Sequence, residues 1–280
     1  MTIMRTLKLL SGQIIPVLGM GTWQMGERSR DFATEVAALR HGIDLGLSLI
    51  DTAEMYGEGG AEKVVAQAIT NRRTEVFLVS KVYPHNASKR GTIAACDRTL
   101  KRLNTDYLDL YLLHWRGSVP LAETLEAFQT LQQAGKIRSY GVSNFDVEDM
   151  EESARLKGGT EIVTNQVLYN LTRRGIEWDL IPWCQRHRIP IIAYSPIEQG
   201  RLVNHRSLQA IAQERGATIS QIAIAWLLHQ ENVIVIPKSS QINHIEQNRA
   251  ALDLKLSLEE LAMLDATFPP PTQPVPLQML

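Results

Sequence analysis

Asp51 and Tyr56 are the first residues in this chain whose types and spacing could do chemistry. They lie in the stretch Leu49-Ile50-Asp51-Thr52-Ala53-Glu54-Met55-Tyr56. Leu49 and Ile50 read as the end of a buried strand, so a carboxylate stands at a strand end and a phenol in the adjoining loop, where both can face one cleft. An Asp-Thr-Ala run also serves as a helix N-cap, and a lone Tyr as a half-buried packing residue. The pair gains weight from Lys81, at the end of the apolar run from Val76, and from His114, which follows Tyr107–Leu113. A phenol titrates near pH 10 and is a poor acid at neutrality, and a neighbouring ammonium lowers that value by stabilising the phenolate. Lys81 is expected to do this for Tyr56, with Asp51 keeping Lys81 charged and in place. His114 is expected to orient a carbonyl by hydrogen bonding. The set makes a general acid for an oxygen that gains negative charge. The sequence offers no Ser/His/Asp nucleophile pair and no tight cluster of metal ligands, so no metal is expected. Reduction of a carbonyl carbon also needs hydride, which no side chain supplies and a nicotinamide cofactor does.

The elements that must position these groups follow from periodicity. Leu7–Leu10 and Gln13–Pro16, joined by Ser11-Gly12, read as a hairpin. Val17–Trp23 reads as a strand running into a loop. Its Gly19-x-Gly21 pair lacks the third glycine of a dinucleotide fingerprint, Gln24 standing in that place, and no helix opens directly after it. From there strands and helices alternate. Strand-like runs occur at 17–23, 47–51, 76–81, 107–113, 139–142, 162–166, 189–194 and 233–236. Nearly all are separated by stretches with apolar residues at helical spacing, such as Val36, Leu39 and Ile43, or Ile93, Cys96, Leu100 and Leu103. Continuous apolar strands are buried on both faces, as parallel strands are, and alternating βα units imply a parallel sheet. Eight units in about 250 residues match a (β/α)8 TIM barrel. The expected fold is therefore α/β: a TIM barrel with an N-terminal hairpin, extra helices and a short C-terminal loop, one domain over 1–280. In such barrels the site lies at the C-terminal ends of the strands. Polar residues fall at almost every one: Asp51, Lys81, His114, Ser143-Asn144, Gln166, Tyr194-Ser195 and Lys238-Ser239.

Composition excludes several other classes. The formal net charge is −1 over 280 residues, with 44% hydrophobic and 21% charged residues. That is the balance of a globular protein, without the basic stripe that nucleic-acid binding requires. Cys96 and Cys184 stand far apart in no metal-binding pattern. The N-terminus lacks an apolar signal region, and no run reaches the roughly 20 apolar residues of a membrane span. A cytoplasmic protein with a small-molecule partner and no membrane contact is expected.

With Asp51, Tyr56, Lys81 and His114 in place, the chain resembles an aldo-keto reductase over essentially its whole length. The matching pieces are Gly19–Trp23, Asp51–Tyr56, Lys81, Asp106–His114, Gly141–Phe145, Asn165-Gln166, Tyr194–Pro196 and Ile236–Ser239. Within the family it looks most like bacterial reducers of methylglyoxal-like oxoaldehydes and diketogluconate. The resemblance implies that Tyr56 is the proton donor, aided by Lys81 and Asp51, with His114 positioning the carbonyl. It implies NADPH as cofactor. Ser143, Asn144 and Gln166 would hold the nicotinamide carboxamide and Tyr194 would stack on the ring. Ser195, Leu202, Lys238 and Ser239 would contact the diphosphate and the adenosine ribose phosphate. Gly21, Thr22 and Asp51 would also lie at the cofactor, and Trp23 and Trp115 would line the substrate pocket beside Tyr56 and His114. Members of this family are often monomers, and a monomer is expected here.

The sequence departs from the pattern in two places. Where NADPH-preferring members usually carry Arg a few residues after the Lys-Ser pair, this chain has His244, and Gln247 replaces the usual Glu, while Asn248 agrees. A neutral imidazole cannot form the bidentate fork that Arg makes with a phosphate, so a weakened NADPH preference with some tolerance of NADH is expected. Arg116 stands where Pro is common after Trp115, either altering the rim or offering a charge to an acidic substrate. The tail from Phe268-Pro269-Pro270-Pro271 to Leu280 cannot be a helix and either folds over the barrel mouth or frays. Two rival functions stand beside the reductase: a Schiff-base aldolase with Lys81 as nucleophile, and a non-catalytic nucleotide-binding redox sensor.

Overall fold

The period-two alternation of strand side chains decides which residues face the centre of this molecule. The computed structural model describes residues 3–280. The chain opens with an antiparallel hairpin, β1 (Thr6–Lys8) and β2 (Ile14–Pro16), with Thr6 opposite Pro16. Eight parallel strands follow: β3 (Gly19–Gly21), β4 (Leu49–Asp51), β5 (Phe77–Val82), β6 (Leu108–Leu113), β7 (Ile137–Ser143), β8 (Asn165–Leu168), β9 (Ile191–Tyr194) and β10 (Val233–Val235). They pair in chain order from β3 to β10. Parallel bridges from Leu18 to Val235 and from Gly21 to Lys238 bring the two edges together, with the Val235 N–H donating to the Val17 carbonyl at 2.8 Å.

The helices between the strands are α1 (Phe32–Asp44), α2 (Gly60–Ala68), α3 (Lys89–Leu103), α4 (Leu121–Gln133), α5 (Val147–Arg155), α6 (Leu180–Arg186), α7 (Arg206–Glu214) and α8 (Ile219–His229), with α9 (Ile242–Ala250) and α10 (Leu258–Thr267) after β10. This is the expected (β/α)8 barrel, with α7 and α8 both inserted between β9 and β10. Local sequence signals start several helices. Ser88 accepts from Gly91 N–H to cap α3, and Thr218 and Gln221 form a reciprocal capping box at α8.

Two apolar regions form, one on each side of the barrel wall. Leu49, Phe77, Val79, Leu110, Leu112, Ile192 and Ile234 fill the interior, and the hairpin closes its floor with Leu9 and Ile15. The alternate residues, such as Ile50, Leu78, Val82, Tyr111 and Leu113, pack outward against the helices. Asp109, also on the outward side, serves the framework. It accepts from Arg73 at 2.7 Å and from the Leu78 N–H at 2.9 Å, aligning β5 with β6. The tail beyond Phe268 has no helix or strand. Val275 lies against Gly175, where an added Cβ would come within 3.0 Å of it, and Leu277 packs on the core. The main chain of Leu280 lies near enough to the Tyr194 hydroxyl to lower its pKa against the effect of burial, so the tail reaches the barrel mouth.

Candidate active site

The inner line of each strand, continued one or two residues upward, delivers the polar groups to one place. Leu49 leads to Asp51, Phe77 and Val79 to Lys81, Leu110 and Leu112 to His114, Gly141 to Ser143, and Ile192 to Tyr194. Lys81 is fully buried, and its Nζ donates to Asp51 Oδ1 at 2.6 Å, to the Thr52 carbonyl at 2.9 Å and to Tyr56 Oη at 3.4 Å. Asp51 is held from the other side by Gln166 Nε2 on Oδ2 at 2.8 Å. The Asp51 carbonyl accepts from the Thr22 hydroxyl at 3.0 Å. The His114 ring lies edge-on to Tyr56, centroids 5.6 Å apart. The four expected groups therefore meet over one cleft.

Electrostatics bear out one expectation and correct another. Burial pulls the Lys81 ammonium down, but the charges of Asp51 and Tyr56 and their hydrogen bonds outweigh it, and its pKa ends above the usual lysine value. Asp51 does keep Lys81 charged, which removes the free amine that a Schiff-base aldolase requires. Tyr56 was expected to titrate below an ordinary phenol. Its value is instead raised: desolvation around the hydroxyl is the largest effect, Lys81 pulls the other way, and Asp51 adds to the rise. A lowered pKa is not needed for the chemistry. A general acid need only be protonated at neutral pH and stronger than the acid it generates, and a neighbouring cation stabilises its conjugate base. His114 is pushed down to about 2 by burial and by Lys81. It is a neutral imidazole, and its buried Nδ1 has no hydrogen-bond partner. The tautomer with the proton on Nε2 spares it an orphaned donor and leaves a donor for the cleft.

A pH profile follows from these values. Carbonyl reduction is expected to show no step near pH 6.5, where an ordinary histidine titrates, and to decline only above about 10, as Tyr56 loses its proton. Initial rates across that range check it, and an acid limb near neutrality would contradict the neutral His114.

Several of the groups expected at a cofactor are tied to this cleft by contacts, and the others are placed by the elements that carry them. Asn144 sits in the left-handed region at φ 57°, a conformation Asn tolerates. That turn sends its Nδ2 to the His114 carbonyl at 3.1 Å and to Ser143 Oγ at 3.2 Å. Its Oδ1 accepts from the Tyr194 hydroxyl at 3.0 Å. Ser143 Oγ donates to the Gln166 carbonyl at 2.8 Å. Ser195, also left-handed at φ 49°, opens the loop that carries buried Leu202 in the 3-10 segment Glu198–Asn204. Gly21 pairs with Lys238, which is half-buried, while Ser239 is buried and accepts from the Gln241 N–H just before α9. His244 is exposed on α9, Gln247 half-buried and Asn248 buried. Trp23, 42% exposed, and half-buried Trp115 stand at the mouth.

Three features of the site were not read from sequence. Gln166 donates to Asp51 as well as standing at the rim. Glu198, buried, clamps the loop after β9 by accepting from Asn170 Nδ2 at 2.7 Å and from Arg173 at 2.9 Å. Arg116 turns away from the cleft and pairs with both oxygens of Glu152 at 2.7 and 2.8 Å. This pairing bears on one of the two readings of Arg116, the charge. Arg116 is not a free cation for an acidic substrate.

Comparison with known proteins places this geometry among relatives. Residues 17–268 match the model of the Aldo/keto reductase family. The chain is 52% identical over 276 residues to methylglyoxal reductase YeaE of Escherichia coli (strain K12), covering 96% of this chain and 97% of that protein. A crystal structure of an aldo/keto reductase from Klebsiella pneumoniae in complex with NADP and acetate aligns with a TM-score of 0.97 at 51% identity, over 99% of this chain and 100% of that one. A Klebsiella pneumoniae aldo-keto reductase in complex with NADPH aligns with the same TM-score of 0.97 and 51% identity, over 100% of both chains.

Proposed function

The chain belongs to the aldo/keto reductase family, and from that premise we propose that it reduces aldehydes and 2-oxoaldehydes of the methylglyoxal type to alcohols with NADPH. The observation that carries the proposal is the chain from buried Asp51 through buried Lys81 to half-buried Tyr56, 2.6 and 3.4 Å between its members, beside a neutral His114. His114 offers its Nε2 proton to the carbonyl oxygen and orients it. As that oxygen gains charge, Tyr56 passes its proton to it, Lys81 stabilises the phenolate, and solvent restores the proton.

The donor set of the rim suits a nicotinamide nucleotide. Ser143, Asn144 and Gln166 offer both donors and acceptors for a carboxamide. Among the hydrogen bonds of the described residues, Gln166 commits only its amide nitrogen and leaves its side-chain oxygen available. Half-buried Tyr194 offers a ring, and Lys238, Ser239 and the first turn of α9 offer a cation and N–H groups to phosphates. Gly21, Thr22, Ser195, Leu202, Gln247 and Asn248 complete the proposed contacts. When bound, NADPH supplies hydride to the carbonyl carbon. Trp23 and Trp115 are assigned to the substrate side, and a cytoplasmic monomer remains part of the proposal. Among the described residues no helix is long and apolar enough to cross a membrane.

The test is oxidation of NADPH and NADH, side by side, over aldehydes, oxoaldehydes and keto acids. Turnover of methylglyoxal with NADPH supports the reading, and no turnover of any carbonyl with either nucleotide sinks it. Exposed His244 makes a second prediction. His244→Arg gains a guanidinium that can pair with a 2′-phosphate, and NADPH binding is expected to tighten by about tenfold, the scale of one charge-assisted hydrogen bond, with NADH binding unchanged. An unchanged NADPH dissociation constant would count against the phosphate contact.

A further inference from the structure

Between Asp51 and Tyr56, on the same loop, stands a carboxylate that the mechanism does not use. Glu54 Oε1 accepts from the Tyr83 N–H at 2.8 Å and from Asn86 Nδ2 at 3.0 Å. Oε2 lies 3.6 Å from Arg98 on α3, and the Glu54 side chain is only 8% exposed. The Glu54 N–H in turn meets the Lys81 carbonyl at 3.4 Å. One nearly buried side chain thus fastens the loop that carries the proton donor to the loop that follows Lys81. A buried carboxylate is retained only where donors compensate its desolvation, and here most of the donors belong to that second loop.

What the second loop carries makes the tie consequential. The Tyr83 ring meets Trp115 edge-on at 5.1 Å and 88°, and His85 stacks on it at 4.6 Å. Trp115 lies 4.9 Å from His114, whose ring is 5.6 Å from Tyr56. Five rings therefore run outward from the proton donor to the surface, and Glu54 joins the loop at the inner end to the loop at the outer end. Three cations on these elements are paired: Lys81 with Asp51, Arg98 with Glu54, and Arg116 with Glu152.

We infer that Glu54 is a positioning residue that sets the Tyr83–Trp115 wall against Tyr56, and that this wall receives the carbon chain of uncharged carbonyl substrates. The inference rests on the proposed reductase reading and deepens it. Glu54 acts through the wall and touches neither the reacting carbonyl nor the cofactor.

The experiment combines Glu54→Ala, Glu54→Gln, Trp115→Ala and the double variant Glu54→Ala/Trp115→Ala in the full chain. Glu54→Ala is expected to raise KM for methylglyoxal about tenfold, the scale of losing a hydrogen bond to a charged group, with kcat and the NADPH dissociation constant near wild type. Glu54→Gln keeps an oxygen for the Tyr83 N–H and is expected to restore most of KM. In the double variant the KM rise is expected to be no larger than for Trp115→Ala alone, because both act through one wall. Multiplying effects, or an unchanged KM in Glu54→Ala, would overturn the inference. A readout free of turnover separates its failure from that of the reductase reading. Amide hydrogen exchange over residues 82–87 is expected to accelerate in Glu54→Ala and to remain slow in Glu54→Gln. Unchanged exchange in Glu54→Ala would overturn the tie itself, whatever the protein reduces.

Discussion

Tyr56→Phe is expected to lower kcat for carbonyl reduction by about 10²–10⁴-fold, the range of a positioned general acid. Phe keeps the ring and its contact with His114 at 5.6 Å and removes only the hydroxyl. Lys81 retains Asp51 at 2.6 Å and the Thr52 carbonyl at 2.9 Å, so no buried charge is abandoned and the folded protein is expected to survive with little change in its unfolding midpoint. The NADPH dissociation constant is expected to hold, since the proposed carboxamide and phosphate contacts come from other strands. A loss confined to kcat is the sign of an interaction made only in the transition state. Single-turnover rates with saturating NADPH measure it. A variant that reduces methylglyoxal at the wild-type rate would remove Tyr56 as proton donor.

The second large effect concerns Lys81, where stability and catalysis can be separated. Lys81→Met places an apolar chain of similar length in a fully buried position and leaves the Asp51 carboxylate facing only Gln166 Nε2 and the cleft. Removing one partner of a buried ion pair costs about 3–5 kcal/mol, most of it the desolvated charge that remains. Denaturant titration is expected to show a loss of that size. Activity is also expected to fall by at least about 10²-fold, because the phenolate of Tyr56 loses its neighbouring cation and its already raised pKa climbs further. The double variant Asp51→Asn/Lys81→Met replaces the stranded carboxylate with a neutral amide that Gln166 can still bond. It is expected to recover most of the stability and none of the activity. If activity returned with stability, Lys81 would be a structural residue only.

Much of the fold was legible because its signals are short-range. Apolar runs alternating with helical spacing placed all eight barrel strands, and the same period-two rule that buries Leu49, Val79 and Leu112 carries Asp51, Lys81 and His114 to one rim. The strands are shorter at some ends than the apolar runs: Leu47 and Ser48 precede β4, which begins at Leu49. Their neighbours satisfy backbone groups from loops, as when Phe77 N–H reaches the Ser48 carbonyl at 2.9 Å.

What escaped the sequence depends on pairings across the barrel or on burial. Gln166 meets Asp51 from a strand on the far side of the sheet order, and nothing local in Asn165-Gln166 announces it. Glu54 and Glu198 sit in loops, where a carboxylate is ordinarily solvated; only tertiary contact shows that each is held against donors. Arg116 read as either a change in the rim or a charge for an acidic substrate, and only the fold shows that Glu152 on α5 pairs with that charge. The direction of the Tyr56 shift was missed for a related reason. The residue types name a lysine beside a phenol, whereas the balance between that lysine and the surrounding desolvation exists only once the barrel has closed.

Hydride addition to a carbonyl carbon, with the proton taken from Tyr56, can be followed by isotope. The most direct measurement uses NADPH with both C4 hydrogens of the nicotinamide replaced by deuterium, with methylglyoxal as substrate and mass spectrometry of the alcohol formed. One deuterium is expected on the former carbonyl carbon, with Tyr56→Phe slowing its appearance without moving it. Product without deuterium at that carbon, or a borohydride-trapped substrate adduct on Lys81, would contradict it.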